Sequence, residues 1–247
     1  MLRSLKELIG YELLAKDGYI GKTHDFLFND EDWRIRYLVV DTGPWILGRK
    51  VLISLLALGQ PVWATETFPV DLTRDQVKSS PDVNLAKPVS RQYEERLHQH
   101  YNWPAYWGMA AAIPGRPAYI PLMVFAGQEK DEEETHLRSS KELFGYKMNA
   151  KDGEVGGLAD FIAEDDSWQL RYMVVDTSDK LDSDKQVLVS LEWINNIDVA
   201  LKEISIDLAQ QAVQLSPAFD PHKPVNRQYE EVLYDYHGRP KYWQVVE

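Results

Sequence analysis

Few residues in this chain could do chemistry, and most of those stand where ordinary structure also explains them. Asp41 and Asp176 each close an apolar stretch, Arg36–Asp41 and Arg171–Asp176. A carboxyl group at the end of a buried strand can hold a raised pKa and pass protons. An Asp-Thr pair at a strand end is also common turn chemistry, and the preferred reading is that each Asp caps the next loop with Thr42 or Thr177. The six histidines are His24, His98, His100, His136, His222 and His237. None falls at a metal-ligand spacing; His98 and His100, two apart on an expected helix, point to different sides. Gly18-x-x-Gly21 could suggest a phosphate loop, but it sits in a hairpin pattern, and no nucleophile elbow, P-loop or dinucleotide fingerprint occurs. With no cysteine, thiolate metal sites, disulfides and Cys nucleophiles are all excluded. No catalytic residue, cofactor or metal site is expected.

Aromatic residues carry more information. Tyr101-Asn102-Trp103-Pro104-Ala105-Tyr106-Trp107 recurs in outline as Tyr234, Tyr236, Pro240, Tyr242 and Trp243. Trp and Tyr dominate hot spots at protein interfaces, which makes Tyr101, Trp103, Tyr106, Trp107, Tyr242 and Trp243 candidate interface residues. The competing reading, favoured because both copies keep Pro-x-Tyr-Trp, is that these rings lock each C-terminal tail onto a neighbouring β unit.

The elements that position these residues occur twice. Leu2–Thr42 matches Leu137–Thr177 at 23 of 41 positions with a constant offset of 135. The offset is 136 from Val51/Val187 onward, and Lys87–Glu95 matches Lys223–Glu231 at 8 of 9 positions. A repeat of this length marks two copies of one unit. In the first copy Leu8–Leu14 and Ile20–Asn29 read as strands around an Asp17-Gly18 turn, for which a type I′ geometry with positive φ at both residues is predicted. Trp33–Asp41, Arg49–Ser54 and Thr65–Asp71 read as further strands, and short strands with close turns suggest a small barrel. Thr73-Arg74-Asp75-Gln76 fits a capping box. Ser90 and Asn226 are good N-caps, and Val89, Tyr93, Leu97 and Tyr101 form one apolar stripe of the helix that follows Ser90.

Between the copies, Ala110–Ala126 is apolar but broken by Pro114, Pro117 and Pro121, so it reads as an extended segment docked on a barrel. Gln128–Thr135 reads as a solvated acidic run. The domains are therefore expected at 1–107, 108–136 and 137–247. The formal charge of −12 divides as −1, −3 and −8 over residues 1–107, 108–136 and 137–247. That balance disfavours nucleic acid as a partner. No stretch approaches the roughly 20 apolar residues of a membrane span, and charges interrupt the first eight residues where a signal peptide needs its apolar region. A cytoplasmic protein is expected.

Gly10-Tyr11, Lys16–Gly21, Arg36–Asp41 and Val51–Ser54, with Gly145-Tyr146, Lys151–Gly156, Arg171–Asp176 and Val187–Ser190, resemble the PRC-barrel family. That family includes the cytoplasmic domain of the photosynthetic reaction-centre H subunit, a domain of a ribosome maturation factor, and stand-alone bacterial members. The resemblance implies a mainly β fold: two small, strongly bent PRC-type barrels, each followed by short α-helices, in a pseudo-two-fold tandem. It implies protein contacts rather than an enzyme. The leading expectation is a non-enzymatic interaction or regulatory module whose repeats pair by equivalent faces, helped by the helices at Ser90–His100 and Asn226–Tyr236, with further homo-oligomerisation open. The alternatives are an accessory or assembly factor of a membrane-bound electron-transfer or photosynthetic complex, and a ribosome-assembly factor.

Overall fold

The structure, a computed structural model, describes residues 1–46, 48–85, 88–107, 136–178, 180 and 185–244. The proline-broken segment and the acidic run lie outside the described residues. The fold is mainly β, in two sheets. The first half contributes β1 (Leu2–Ser4), α1 (Leu5–Leu8), β2 (Glu12–Ala15), β3 (Gly18–Asn29), β4 (Arg34–Asp41), β5 (Lys50–Ser54), β6 (Thr67–Pro69), α2 (Arg74–Lys78) and α3 (Arg91–Tyr101). The second contributes β7 (Leu137–Ser139), α4 (Ser140–Leu143), β8 (Lys147–Ala150), β9 (Gly153–Glu164), β10 (Leu170–Asp176), β11 (Gln186–Ser190), β12 (Ile194–Asp198), β13 (Glu203–Ile206), α5 (Gln210–Gln214), β14 (Ala218–Phe219) and α6 (Arg227–His237).

One sheet runs β5-β4-β3-β2-β6 and the other β12-β13-β8-β9-β10-β11-β14, with β2–β6 and β8–β13 the parallel pairs. Neither path closes into a barrel. After β5 and β11, Ser54 and Ser190 accept the N–H groups of Leu56 and Glu192 and turn the chain into a short 3-10 helix. Among the described residues of the first half, two isolated bridges, Leu58–Val70 and Val62–Thr67, then meet the far edge. The long strands β3 and β9 bend instead, through register shifts at Thr23/Asp25 and Leu27/Phe28 against β4, and at two matching places against β10.

The hairpin turn falls one residue earlier than predicted. Ala15 pairs with Gly18, so Lys16 and Asp17 form the loop, and positive φ falls on Gly18 (+137°) rather than on Asp17. That frees the Asp17 carboxylate to accept the Arg74 N–H at 2.8 Å at the start of α2, as Asp152 accepts that of Gln210 at 2.7 Å. Gly21 is fixed by packing: a Cβ there would come within 2.3 Å of the Asp41 carbonyl oxygen. The Thr73–Gln76 capping box and the Ser90 and Asn226 caps form as predicted. Val89, Tyr93, Leu97 and Tyr101 are all buried.

Sheet membership crosses the repeat boundary. β1 pairs with β9 through Leu2–Glu164, Arg3–Ala163 and Ser4–Ile162, and β7 pairs with β3 through Leu137–Asn29, Arg138–Phe28 and Ser139–Leu27. Adding 135 to either set of numbers in the first half gives the other set, so each half donates its first strand to the other in a reciprocal exchange. Between the two exchanged strands the Ile35 N–H donates to the Trp168 carbonyl (3.0 Å) and the Leu170 N–H to that of Trp33 (2.9 Å). Phe28 packs against both Phe161 and Trp33.

Candidate functional site

Two sets of buried polar side chains hold the molecule together, one at the exchange seam and one under each C-terminal helix. At the seam, Asp25 of β3 accepts Ser139 Oγ (2.5 Å), Ser140 Oγ (2.8 Å) and the Lys141 N–H (3.1 Å) from the other half, besides the Phe26 N–H (2.7 Å). Asp160 of β9 does the same with Ser4 Oγ, the Lys6 N–H (3.1 Å) and the Phe161 N–H (2.7 Å). Each Asp thus caps the helix that follows the strand it receives. Asp160 has one donor fewer, because Leu5 stands where the other half has Ser140. Burial pushes the Asp160 carboxyl up to about 6, against hydrogen bonds from Ser4, Phe161 and Lys6 that pull it down.

Under the first C-terminal helix, Glu94 of α3 is fully buried and accepts Tyr37 Oη (2.8 Å), Tyr106 Oη (2.5 Å) and Arg91 Nη1 (2.6 Å). Under the second, Glu230 of α6 accepts Tyr172 Oη (2.7 Å) and Tyr242 Oη (2.8 Å), with Arg227 at 3.1 Å. Burial raises the Glu94 pKa against the pull of Tyr106, Arg91, Tyr37 and Arg36. The tails are clamped from outside by cations: Arg36 over Tyr106 (4.3 Å) and Arg91 over Trp107 (4.5 Å), then Arg171 over Tyr242 (4.3 Å) and Arg227 over Trp243 (4.1 Å). Each half therefore closes on a buried carboxylate latch that joins a β-strand tyrosine, the helix and the aromatic tail.

All six candidate interface aromatics lie in or beside these latches. Tyr101 stacks on Trp103 at 4.2 Å, and Tyr106, Trp107, Tyr242 and Trp243 face their own half's Arg, Glu or ring partners. The contacts are those of the tail-locking reading. Helices α3 and α6 likewise hydrogen-bond into their own halves through Glu94 and Glu230, and the exchanged strands supply backbone pairing between halves.

Asp41 accepts the Gly43 N–H at 2.9 Å, and Asp176 accepts the N–H (3.0 Å) and hydroxyl (2.7 Å) of Ser178. Those bonds hold the Asp176 carboxyl below the usual range, the direction opposite to that of a proton carrier at neutral pH. Thr42 and Thr177 turn instead to the carbonyls of Arg49 and Lys185. Among the described residues no group of three His, Asp or Glu side chains is placed to hold a metal ion. His98 of α3 is buried and His237 of α6 half-buried, and desolvation lowers the pKa of both, the latter to about 4. A cleft of about 440 Å³ opens at the seam, where His24, Lys50, Arg138, Lys141 and Glu142 mix charges of both signs.

Sequence reasoning passed over Asp25, Asp160, Glu94, Glu230, Tyr37 and Tyr172 as chemical groups. Their signal was present: each is a polar residue kept in both copies inside an otherwise apolar or helical pattern. Neither a protein-family model nor a curated protein matches the chain. Among the described residues no helix is long and apolar enough to cross a membrane.

Proposed function

We propose that the chain is a non-enzymatic protein-interaction module in which two PRC-barrel-like halves form one body that presents two different outward faces. The observation that supports this reading is an asymmetry between equivalent surfaces. Ser79, Arg96 and His100 of the first half correspond to Leu215, Val232 and Tyr236 of the second, and Leu215, Val232 and Tyr236 are exposed at 61, 52 and 43%. The three belong to one face. Val232 and Tyr236 are one turn apart on α6, and the Tyr236 hydroxyl donates to the Ala212 carbonyl of α5 (3.2 Å), just before Leu215. Interiors that match with exteriors that differ are what an adaptor requires, because the buried latches keep the shape while the surface sets the partner.

Glu231 and Asp235 flank this apolar face, and residues 137–247 carry a formal −8. The partner is accordingly a protein with an apolar centre and a basic rim, bound less tightly as salt rises. A photo-crosslinking residue at position 232, in cells of the native host, tests the reading, with position 96 as the matched control. The same protein adduct at 232 and not at 96, lost when Leu215 and Tyr236 carry the first half's Ser and His, supports it. Equal labelling at both positions contradicts it.

A further inference from the structure

The first latch contains one hydrogen-bond contact more than its own protons can serve. His98 Nδ1 lies 2.9 Å from the Pro104 carbonyl oxygen, which can only accept, so Nδ1 carries a proton. His98 Nε2 lies 2.7 Å from Tyr37 Oη, and Tyr37 Oη lies 2.8 Å from Glu94 Oε1. These three contacts need three protons. A neutral imidazole and a phenol supply two, and the Tyr106 hydroxyl spends its own on Glu94. A third proton, taken up from solvent, would complete them. It has two placements, related by a shift along the Tyr37 hydroxyl. In one, Glu94 is protonated, Tyr37 donates to His98, and both acid and imidazole are neutral. In the other, Glu94 is ionised, Tyr37 donates to it, and His98 is an imidazolium donating from both nitrogens.

We propose that Tyr37 couples the Glu94 carboxyl and the His98 imidazole through a single shared proton, giving the first latch a titratable lock on its aromatic tail that the second latch does not have. The second half makes the contrast. Tyr234 replaces His98, and its hydroxyl meets Ser190 Oγ at 2.9 Å and Glu192 at 3.4 Å. Tyr172 and Tyr242 donate to Glu230 and the Tyr234 hydroxyl also meets Tyr172, so the second latch is a chain of hydroxyls with no imidazole to carry a proton. The charged and titratable groups facing the first pair are Arg91 from α3, Arg36 from β4 and Tyr106 from the tail; the rings of Trp103 and Trp107 pack on the imidazole at 5.8 and 4.7 Å. Arg91 and Arg36 favour an ionised Glu94, while Arg91 opposes a positive charge on His98. Burial, which raises Glu94 and lowers His98, favours the neutral one. Loss of the proton as pH rises leaves one of the two Tyr37 contacts unmade, which frees the His98 ring on that side and so loosens the tail bonded to its Nδ1 through Pro104.

The test is a pH titration by NMR of the full chain with isotope-labelled histidine nitrogens and glutamate carboxyl carbons. The expected result is that His98 and Glu94 respond at the same apparent midpoint. Tyr37→Phe, which keeps the ring, should separate the two midpoints by about one pH unit or more. His98→Tyr, which copies the second half, should abolish the shared event. Above the midpoint, exchange of the Trp103 amide, which donates to the His98 carbonyl (2.9 Å), should quicken roughly fivefold. The equivalent Arg239 amide, on the Tyr234 carbonyl (3.1 Å), should not change. A His98 ring with one N–H beside a fully ionised Glu94 throughout the range would overturn the proposal. So would Tyr37→Phe leaving both curves unmoved.

Discussion

The two halves share a skeleton and differ in how fully each buried carboxylate is served. Asp25 takes three donors from the opposite half and Asp160 takes two. Glu94 faces an Arg whose side chain is 19% exposed, while the Arg paired with Glu230 is 47% exposed. The same groups in the same places thus carry different penalties when a partner is removed, because a group left near water is resolvated and a buried one is not.

Removing the latch carboxylates should give the largest effect. Glu94→Ala strands the Arg91 guanidinium and the Tyr106 hydroxyl in the interior and should cost about 4 kcal/mol. Glu230→Ala, whose Arg227 can turn to solvent, should cost about 3 kcal/mol. Urea unfolding of each variant measures the difference, and an equal or reversed order would break the comparison. Next come the seam aspartates. Asp25→Ala leaves more donors without an acceptor than Asp160→Ala, so about 3 against about 2 kcal/mol is expected by the same measurement.

A smaller effect follows from pH. The Asp160 carboxyl is raised to about 6 from its ordinary 3.8. Between those values the folded chain binds more protons than the unfolded one, so this group's contribution is fully present at low pH and is lost as pH rises through the window. The wild type should lose on the order of 2 kcal/mol from this group between about pH 4 and pH 7, and Asp160→Asn should flatten that slope. Unfolding free energies at both ends of the range, for both proteins, give the answer. Least perturbing is Val232→Arg, which copies the first half on an exposed helix face. It should change stability by less than about 0.5 kcal/mol in the same urea unfolding measurement.

Local features were legible in the sequence because local chemistry sets them. The capping box at Thr73–Gln76, the Ser90 and Asn226 caps and the Val89–Tyr101 stripe all follow from side chains acting on their own backbone. The turn slipped by one residue because Asp17 has a second task, capping α2 from a distance, that a hairpin rule does not include. The exchange was not legible for a stronger reason. Leu2-Arg3-Ser4 and Leu137-Arg138-Ser139 are identical, and both β3 and β9 offer the edge either could join, so nothing local distinguishes pairing within a half from pairing across halves. Glu94 and Glu230 were hidden differently. A charge in the first turn of an amphipathic helix reads as a solvated group stabilising the helix N-terminus, and only the tertiary fold brings a strand tyrosine and a tail tyrosine onto it.

Reciprocal strand exchange makes the two halves one folding unit, and cutting the chain between them tests this most directly. A protease site placed within residues 108–135 and cleaved to completion should leave a single particle of about 28.5 kDa in solution that unfolds in one transition. Two folded halves that separate on a sizing column, each melting at its own midpoint, would contradict it.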